Sequence, residues 1–182
     1  MVNSQKNLFC KRSNLTNEAS VENWFLDKLL AHLGFVPDDI ALKTSIREFK
    51  VGQGRNSSLY KPDYIIQLNG FPTLVVDAKH PNEDIDDWVG QCSSYCLELN
   101  KLYEHNPVEY FLLSNGIATA LYKWDRAKPV VVMQFDDFAE GNPLLVQFMG
   151  AISKKALKKV SSAKRDELME SPFPLRTISL DE

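Results

Sequence analysis

Two apolar segments joined by a short turn sequence constrain the fold of this chain most strongly. Residues 63–68 and 73–79 are rich in Ile, Leu and Val, and Asn69-Gly70-Phe71-Pro72 separates them. Asn-Gly between two apolar runs is the strongest short-range signal for a β-hairpin. Because Pro72 has no N–H to donate to a strand ladder, we expect it at the start of the second strand.

Charged residues stand at matching ends of the two predicted strands. Asp63 begins the first, and Asp77 and Lys79 end the second. Residues two apart on a strand point to the same face, so Asp77 and Lys79 emerge side by side. A three-residue loop, Asn69–Phe71, would place Asp63 opposite Asp77 on that face, whereas a strict two-residue turn would pair it with Val76. We therefore predict the longer loop, or a β-bulge with the same effect.

These three side chains are the parts that metal-dependent phosphodiester hydrolysis needs. Two opposed carboxylates cost stability unless positive charge lies between them. Lys79 supplies one charge, and Mg²⁺, which prefers carboxylate oxygens, would supply more. The ion would polarise a phosphate and activate a bound water, while Lys79 orients that water or balances the growing negative charge. The alternative interpretation is a surface hairpin with an ordinary Lys–Asp pair.

Helical and strand periodicities fill the rest of the chain. Thr16 or Asn17 can cap a first helix that ends at Gly34, and Glu18 and Glu22 share one side of it. The pattern also predicts strands at 41–51, Glu109–Leu113, Ala118–Trp124 and Val130–Phe135, a helix of about twenty residues that opens at Pro81 and Asn82, and a helix at Leu144–Val160. This order predicts an α/β fold with a mixed central sheet flanked by helices.

Length and charge limit the organisation of the chain. With 182 residues, we expect an irregular arm at 1–15, one domain at 16–150, and a Lys-rich helix and tail at 151–182. The net charge of −3 argues against coating nucleic acid by bulk charge. DNA binding would therefore need a local patch or the help of metal ions.

The sequence favours a cytoplasmic location without membrane partners. No apolar run approaches the roughly 18 residues that span a bilayer, and the first residues lack an apolar signal core. The three cysteines (Cys10, Cys92 and Cys96) form no even disulfide framework, which suits a reducing compartment. We interpret Cys92 and Cys96 as small core residues rather than metal ligands.

At this point the motifs resemble a known family. Tyr60-Lys61-Pro62-Asp63-Tyr64-Ile65-Ile66 and Leu74-Val75-Val76-Asp77-Ala78-Lys79 resemble the PD-(D/E)xK nuclease signature, and more narrowly the N-terminal nuclease domain of the R subunit of type I restriction enzymes. The resemblance includes residues 17–21, 29–35 and 112–116, together with a Gln-xxx-Tyr element at Gln91 and Tyr95. It covers about residues 15–135.

The resemblance implies a restriction-endonuclease-like core with Mg²⁺-dependent endodeoxyribonuclease activity, with Mn²⁺ as a substitute ion. It places Asp63, Asp77 and Lys79 in the metal and catalytic roles. Glu18 is the implied third metal ligand, with Glu22 as its rival. Gln91 and Tyr95 would line the site and steady Lys79 or the substrate phosphate, unless they are ordinary helix surface.

The resemblance also implies a motor domain and partner molecules. R subunits carry an ATP-driven motor, but no Gly-xxxx-Gly-Lys-Ser/Thr loop is present here. We therefore expect this chain to be either a fragment of an R subunit or a stand-alone relative of one. Any ATP dependence would come from a motor outside this chain. DNA and the modification and specificity subunits of a restriction complex are the expected partners.

A basic stretch before Asp63 supplies candidate DNA contacts: Lys43, Arg47, Lys50, Arg55 and Lys61. They would bind phosphates without reading bases, or else form a solvated strand face. Four acidic residues follow the motif closely: Glu83, Asp84, Asp86 and Asp87. Their charge is favourable at a helix N-terminus. They would also repel DNA, so we expect the duplex to approach the site from the opposite side. Two further hypotheses are a non-catalytic DNA- or subunit-binding module that retains the fold, and an α/β domain of unrelated purpose.

Overall fold

The computed structural model describes residues 6–42 and 61–169, with side chains up to residue 166. Most of the predicted strand at 41–51 therefore lies outside the described residues. The same holds for Lys43, Arg47, Lys50 and Arg55, four of the five candidate DNA contacts. Lys61, the fifth, is half-buried just before the site.

Six strands form one sheet in sequential order. They are β1 (Ile40–Leu42), β2 (Tyr64–Leu68), β3 (Phe71–Ala78), β4 (Tyr110–Ser114), β5 (Ala118–Lys123) and β6 (Pro129–Gln134). The β3–β4 pair is parallel, and every other pairing among them is antiparallel. A parallel pair needs a crossover connection, and the chain between β3 and β4 is helical. The predicted α/β fold with a mixed sheet is confirmed, and it is compatible with a restriction-endonuclease-like core.

The register of the β2–β3 hairpin is set by a bulge. Asn69 and Gly70 both have positive φ, at 54° and 83°, so the turn has two residues and not the predicted three. Ile66 pairs with Leu74 but Gln67 pairs with Pro72, which leaves Thr73 as the extra residue. The bulge alternative is thereby confirmed. On the other side of the bulge, Tyr64 pairs with Val76, so Asp63 lies opposite Asp77.

The first helix begins at the predicted cap but contains an irregularity. Asn17 accepts a hydrogen bond from the Ser20 N–H at 2.8 Å and starts α1 (Glu18–Val21). A π-helical turn, Glu22–Leu26, follows and leads into α2 (Asp27–His32). Gly34, with φ of 91°, terminates the segment as predicted. A π-turn adds one residue to the helix, and such turns are frequent at functional sites.

The predicted start of the second helix is wrong. Pro81 and Asn82 do not open a helix, because the acids that follow form turns: Glu83 accepts from the His80 N–H, and Asp84 caps a 3₁₀ turn at Ile85–Trp88. The helix itself, α3, begins later at Val89 and ends at Asn100.

The predicted helix at 144–160 is two helices. These are α4 (Pro143–Ile152) and α5 (Lys154–Met169), and they are divided at Ser153, whose ψ of 153° is not helical. A single residue with extended backbone is enough to change the direction of the chain. The Lys-rich part therefore forms a helix distinct from α4.

Each face of the sheet is covered by a core. Leu74, Val76 and Ala78 of β3 face the larger one, which also contains residues of α1, α2, α4 and α5. Val75 faces the smaller one beneath α3. Phe9 and Leu15, from the arm predicted as irregular, are buried in the larger core. Within the described part of the chain, no helix is long and apolar enough to span a membrane.

Candidate functional site

The site forms where β2 begins and β3 ends. Asp63 lies one residue before β2, and Asp77 and Lys79 lie at the end of β3. The backbone N–H of Lys79 donates to the Ser114 carbonyl at 2.8 Å, which fixes the chain just past the strand. All three charged residues are buried, with 3%, 3% and 8% of their surfaces exposed, respectively. Burying a charged side chain is costly unless an opposite charge or a hydrogen bond compensates it, so each of these residues needs a partner nearby.

Asp77 and Lys79 form an ion pair with two further neighbours. The Lys79 Nζ lies 2.5 Å from Asp77 Oδ2 and 4.2 Å from the centre of the Trp88 ring. The Cys92 thiol donates to the same Asp77 oxygen at 3.6 Å. Trp88 and Cys92 belong to the 3₁₀ turn and α3, respectively, so both β3 charges face the α3 side of the sheet.

The electrostatics of the pair follow from burial and from Asp63. Burial and then the charge of Asp63 raise the pKa of Asp77 to about 6, although Lys79 and Cys92 oppose the shift. Burial alone would lower the pKa of Lys79, but the charge and hydrogen bond of Asp77, with a smaller effect from Asp63, raise it. The lysine is therefore held as an ammonium ion.

A second group of carboxylates meets on the helix side. Oxygens of Glu18, Glu22 and Asp63 all lie within 4.8 Å of one another. The helix positions both glutamates: Glu18 is the first residue of α1, and Glu22 begins the π-turn one helical turn later. The structure thus brings both rival helix acids to Asp63 and does not choose between them. Asp77 lies outside this group.

Asp63 joins the two halves of the site. One of its carboxylate oxygens accepts a hydrogen bond from the Ala78 N–H at 2.6 Å, which ties it to the end of β3. Its charge acts on both Asp77 and Lys79. Five predicted residues therefore converge, with Asp63 between the helix glutamates and the Asp77–Lys79 pair.

The donor set fits a hard divalent cation. Mg²⁺ takes oxygen ligands at about 2.0–2.1 Å, so oxygens on opposite sides of one ion are about 4.2 Å apart. A group spanning at most 4.8 Å reaches that separation with small side-chain rotations. Among the described residues, Glu18, Glu22 and Asp63 are those whose oxygens lie close enough together to hold an ion.

The predicted Gln-xxx-Tyr pair lies on α3. Gln91 is half-buried, and Tyr95, one helical turn later, is buried in the core beneath that helix. The helix is therefore the one that carries Cys92 to Asp77. The roles of Gln91 and Tyr95 toward Lys79 or a phosphate stay predictions.

Sequence reasoning missed two residues that touch the charged pair. Helical spacing predicts Trp88 and Cys92 as apolar residues of the helix after the hairpin, and neither is among the predicted site residues. A signal was available, because the two are four residues apart directly after the motif and so share one side of a helical segment. Periodicity places such residues on a face but does not say which atoms they contact.

Comparison with known families gives one match. Residues 44–129 match the family described as the type I restriction enzyme R protein N terminus. No curated protein and no solved structure matches the chain. The matched segment contains Asp63, Asp77 and Lys79, together with α3. The narrower resemblance of the motifs, to the N terminus of type I restriction enzyme R proteins, is therefore confirmed over residues 44–129.

Proposed function

We propose that the chain is a Mg²⁺-dependent DNA endonuclease domain of a type I restriction system, either part of an R subunit or a stand-alone relative. The observation that carries the proposal is the convergence on Asp63 of two helix carboxylates and the buried Asp77–Lys79 pair. Its partners would be DNA and the modification and specificity subunits, in the cytoplasm. ATP would act only through a motor outside this chain.

Each residue has a role in this proposal. Glu18, Glu22 and Asp63 would hold the ion, and Asp77 would join them if its carboxylate turned from Lys79. When bound, Mg²⁺ polarises the phosphate and lowers the pKa of a coordinated water. The ammonium of Lys79, once released from Asp77, would balance the negative charge that develops on the phosphate. Trp88 limits the directions in which that ammonium can move, because its ring covers one side.

Metal binding can be tested without activity. A ligand that binds only the folded state stabilises it by mass action. We expect millimolar Mg²⁺ or Mn²⁺ to raise the melting temperature of the wild type, and Asp63→Asn to abolish the increase. Asp125→Asn, at a half-exposed side chain outside the site, is the control and should keep it. No response of the wild type to either ion would contradict the proposal and favour the non-catalytic module.

Cleavage is tested on supercoiled plasmid with Mg²⁺. We expect nicking or linearisation by the wild type and by Lys101→Ala, a control at an exposed lysine. Asp77→Ala and Lys79→Ala should each lose it. Cleavage that survives both substitutions would contradict the assignment. If the wild type is inactive because it lacks a motor, the melting experiment distinguishes the metal-binding nuclease from the non-catalytic module.

A further inference from the structure

A cleft lined by lysines lies between the N-terminal arm and the first helical segment. The arm and the helix enclose an open cleft of about 340 Å³. Lys6, Lys11 and Lys28 line it, with Trp24 on the helix wall, and no acidic residue of the described chain lines it. Three cations without a lining acid favour an anionic ligand.

Trp24 gives the cleft an aromatic surface. It keeps 49% of its surface exposed, although an indole is a side chain that folding usually covers. The Lys28 Nζ lies 4.9 Å from the centre of its ring and also donates to the Phe9 carbonyl at 3.0 Å. The indole and an ammonium are therefore held together at one wall of the cleft.

The opposite wall is rigidly built. Asn7 is 6% exposed, and its side chain donates to the Phe135 carbonyl at 2.6 Å. The same side chain accepts from the backbone N–H groups of Phe9 and Cys10, at 2.8 and 3.2 Å. Leu8 adds a backbone hydrogen bond to Phe138 at 2.8 Å. The backbone of this wall is therefore tied to the body of the domain.

We propose that this cleft binds single-stranded DNA, with one base against Trp24 and the neighbouring phosphates on Lys6, Lys11 and Lys28. A cationic groove with an aromatic side chain is the general arrangement for binding single strands, because every base has a face that stacks. Bases in a duplex are already stacked on each other, so a duplex offers phosphates but no such face.

The site goes beyond the proposed nuclease function, because it needs no metal. It is also close to the metal-binding residues: Trp24 is two residues from Glu22 on the same helical segment. A helix with its side chains is about 10–12 Å across, and a strand of B-DNA rises about 3.4 Å per nucleotide. A strand leaving the cleft therefore reaches the carboxylates within a few nucleotides.

Fluorescence titration tests the aromatic contact. The chain has three Trp residues, and an oligo-dT added in EDTA should quench the emission of the wild type and of Trp124→Phe. Trp24→Ala should bind about 5- to 150-fold more weakly, as expected for one lost stacking contact, with binding then followed by anisotropy of a labelled oligonucleotide. Trp24→Phe, which keeps a stacking ring, should lie between the two.

Salt dependence tests the phosphate contacts. Each neutralised phosphate of a single strand contributes about 0.7 to the slope of log affinity against log salt. Lys11→Gln should reduce the slope by about that amount, and Lys101→Gln, far along the chain on an exposed surface, should not. Melting curves of each variant establish that it is folded.

Cysteine protection locates the ligand. Cys10 lines the cleft and is half-buried, whereas Cys92 and Cys96 are buried. Oligo-dT should slow alkylation of Cys10, with Cys10→Ser as the blank. Three results would each overturn the proposal: unchanged affinity of Trp24→Ala, preference for a duplex of equal length, or equal Trp24-dependent binding of heparin, a polyanion without bases. Since all arms run without divalent ions, none of these results bears on the metal-binding experiment.

Discussion

At the scale of single residues, the Asp77–Lys79 pair is better explained by function than by stability. A buried ion pair recovers little more than the cost of removing both charges from water. Here the lysine is also confined between a carboxylate oxygen at 2.5 Å and an indole ring at 4.2 Å. Residues whose pKa is shifted by burial and by a specific charge partner cluster at functional sites. The pair thus holds a cation ready beside Asp63.

The raised pKa of Asp77 makes stability depend on pH. Its folded-state value of about 6 lies above the ordinary 3.8, so the folded chain binds this proton more tightly than the unfolded chain. The stabilising contribution is complete below about pH 4 and is lost as pH rises through 6. In metal-free buffer, we expect the free energy of unfolding of Asp77→Asn to fall less than that of the wild type between pH 4 and pH 7.

Urea titrations at several pH values measure this difference. Asp125→Asn, at a half-exposed side chain, is the control and should follow the wild type. Parallel pH profiles for the wild type and Asp77→Asn would show that the pKa of this carboxyl is not raised.

Strand alternation was sufficient to predict the central residues of the site. Alternation places Asp77 and Lys79 on the same face of their strand. Asp63 reaches that face only in one register, and the bulge at Thr73 produces this register. Alternation could not predict the contact of Lys79 with Trp88, since that depends on how a 3₁₀ turn folds back over the sheet. It also could not separate Glu18 from Glu22, and the structure explains why: both approach Asp63.

At the scale of elements, the helix that carries the two glutamates depends on its N-cap residue, Asn17. Asn17 accepts from the Ser20 N–H at 2.8 Å, and the Ser20 hydroxyl accepts from the Asn17 N–H at 2.9 Å. These two bonds satisfy donors that a helix start otherwise leaves without partners. Glu18 follows the cap directly, so the cap also fixes where this carboxylate points.

Removing the cap should weaken metal binding as well as the fold. Asn17→Ala should cost about 0.5–2 kcal/mol of folding stability and reduce the increase in melting temperature caused by Mg²⁺. Asn142→Ala is the matched control, because Asn142 caps α4 by accepting from the Leu144 N–H at 2.9 Å, outside the site. It should lose similar stability and keep the full metal response. An equal loss of response in both variants would argue against local positioning by Asn17.

The turn between β4 and β5 depends on a glycine that contacts the arm. Gly116 has a φ of +79°, and a Cβ there would lie 2.7 Å from a Leu15 methyl carbon. Gly70 has a similar φ of +83° but nothing within 4 Å. We expect Gly116→Ala to be more destabilising than Gly70→Ala by about 1–3 kcal/mol, the usual cost of overpacking. Denaturant unfolding of both variants measures the difference, and equal values would mean that Leu15 moves aside at little cost.

Element boundaries were predicted well where one residue type decides them and poorly elsewhere. Asn17 and Gly34 bound the first helical segment as expected, because cap chemistry is local. Pro81 was a poor guide, since the next acids formed turns with His80 and Asp86 instead of a helix start. The break at Ser153 had no signal, because serine is compatible with either backbone.

At the scale of the whole molecule, α5 is part of the body and not an appendage. Leu157 is 1% exposed in the larger core. The Lys154 Nζ lies 2.6 Å from Asp39, and the Lys164 Nζ lies 2.5 Å from Glu109. Three contacts spaced along one helix hold it across the sheet. Two basic residues of the predicted Lys-rich helix are thus paired with acids.

Removing the apolar anchor of α5 should destabilise the whole domain. Leu157→Ala should cost about 2–5 kcal/mol, as for other fully buried leucines. Leu144→Ala, at a leucine that is 38% exposed on α4, is the matched control and should cost clearly less. Both values come from chemical denaturation. A cost below about 1 kcal/mol at Leu157 would mean that α5 is only loosely attached.

The architecture was accessible from sequence, but the strand order was not. Alternating helix and strand patterns imply a mixed sheet, and hairpins identify β2–β3 and β4–β5 as neighbours. That β3 pairs in parallel with β4 depends on the path of α3 across one face. Such a contact between distant residues leaves no trace in local periodicity.

The π-turn at Glu22–Leu26 has a consequence for the permitted length of this segment. Each residue of an α-helix turns the chain by about 100°. Deleting one residue here would restore regular winding, but with Leu29 and Leu30 anchored in the core, Glu18 would swing about that angle away from Asp63. The segment should therefore tolerate substitutions far better than insertions or deletions. In natural variants, the number of residues between Glu18 and Leu29 should be constant.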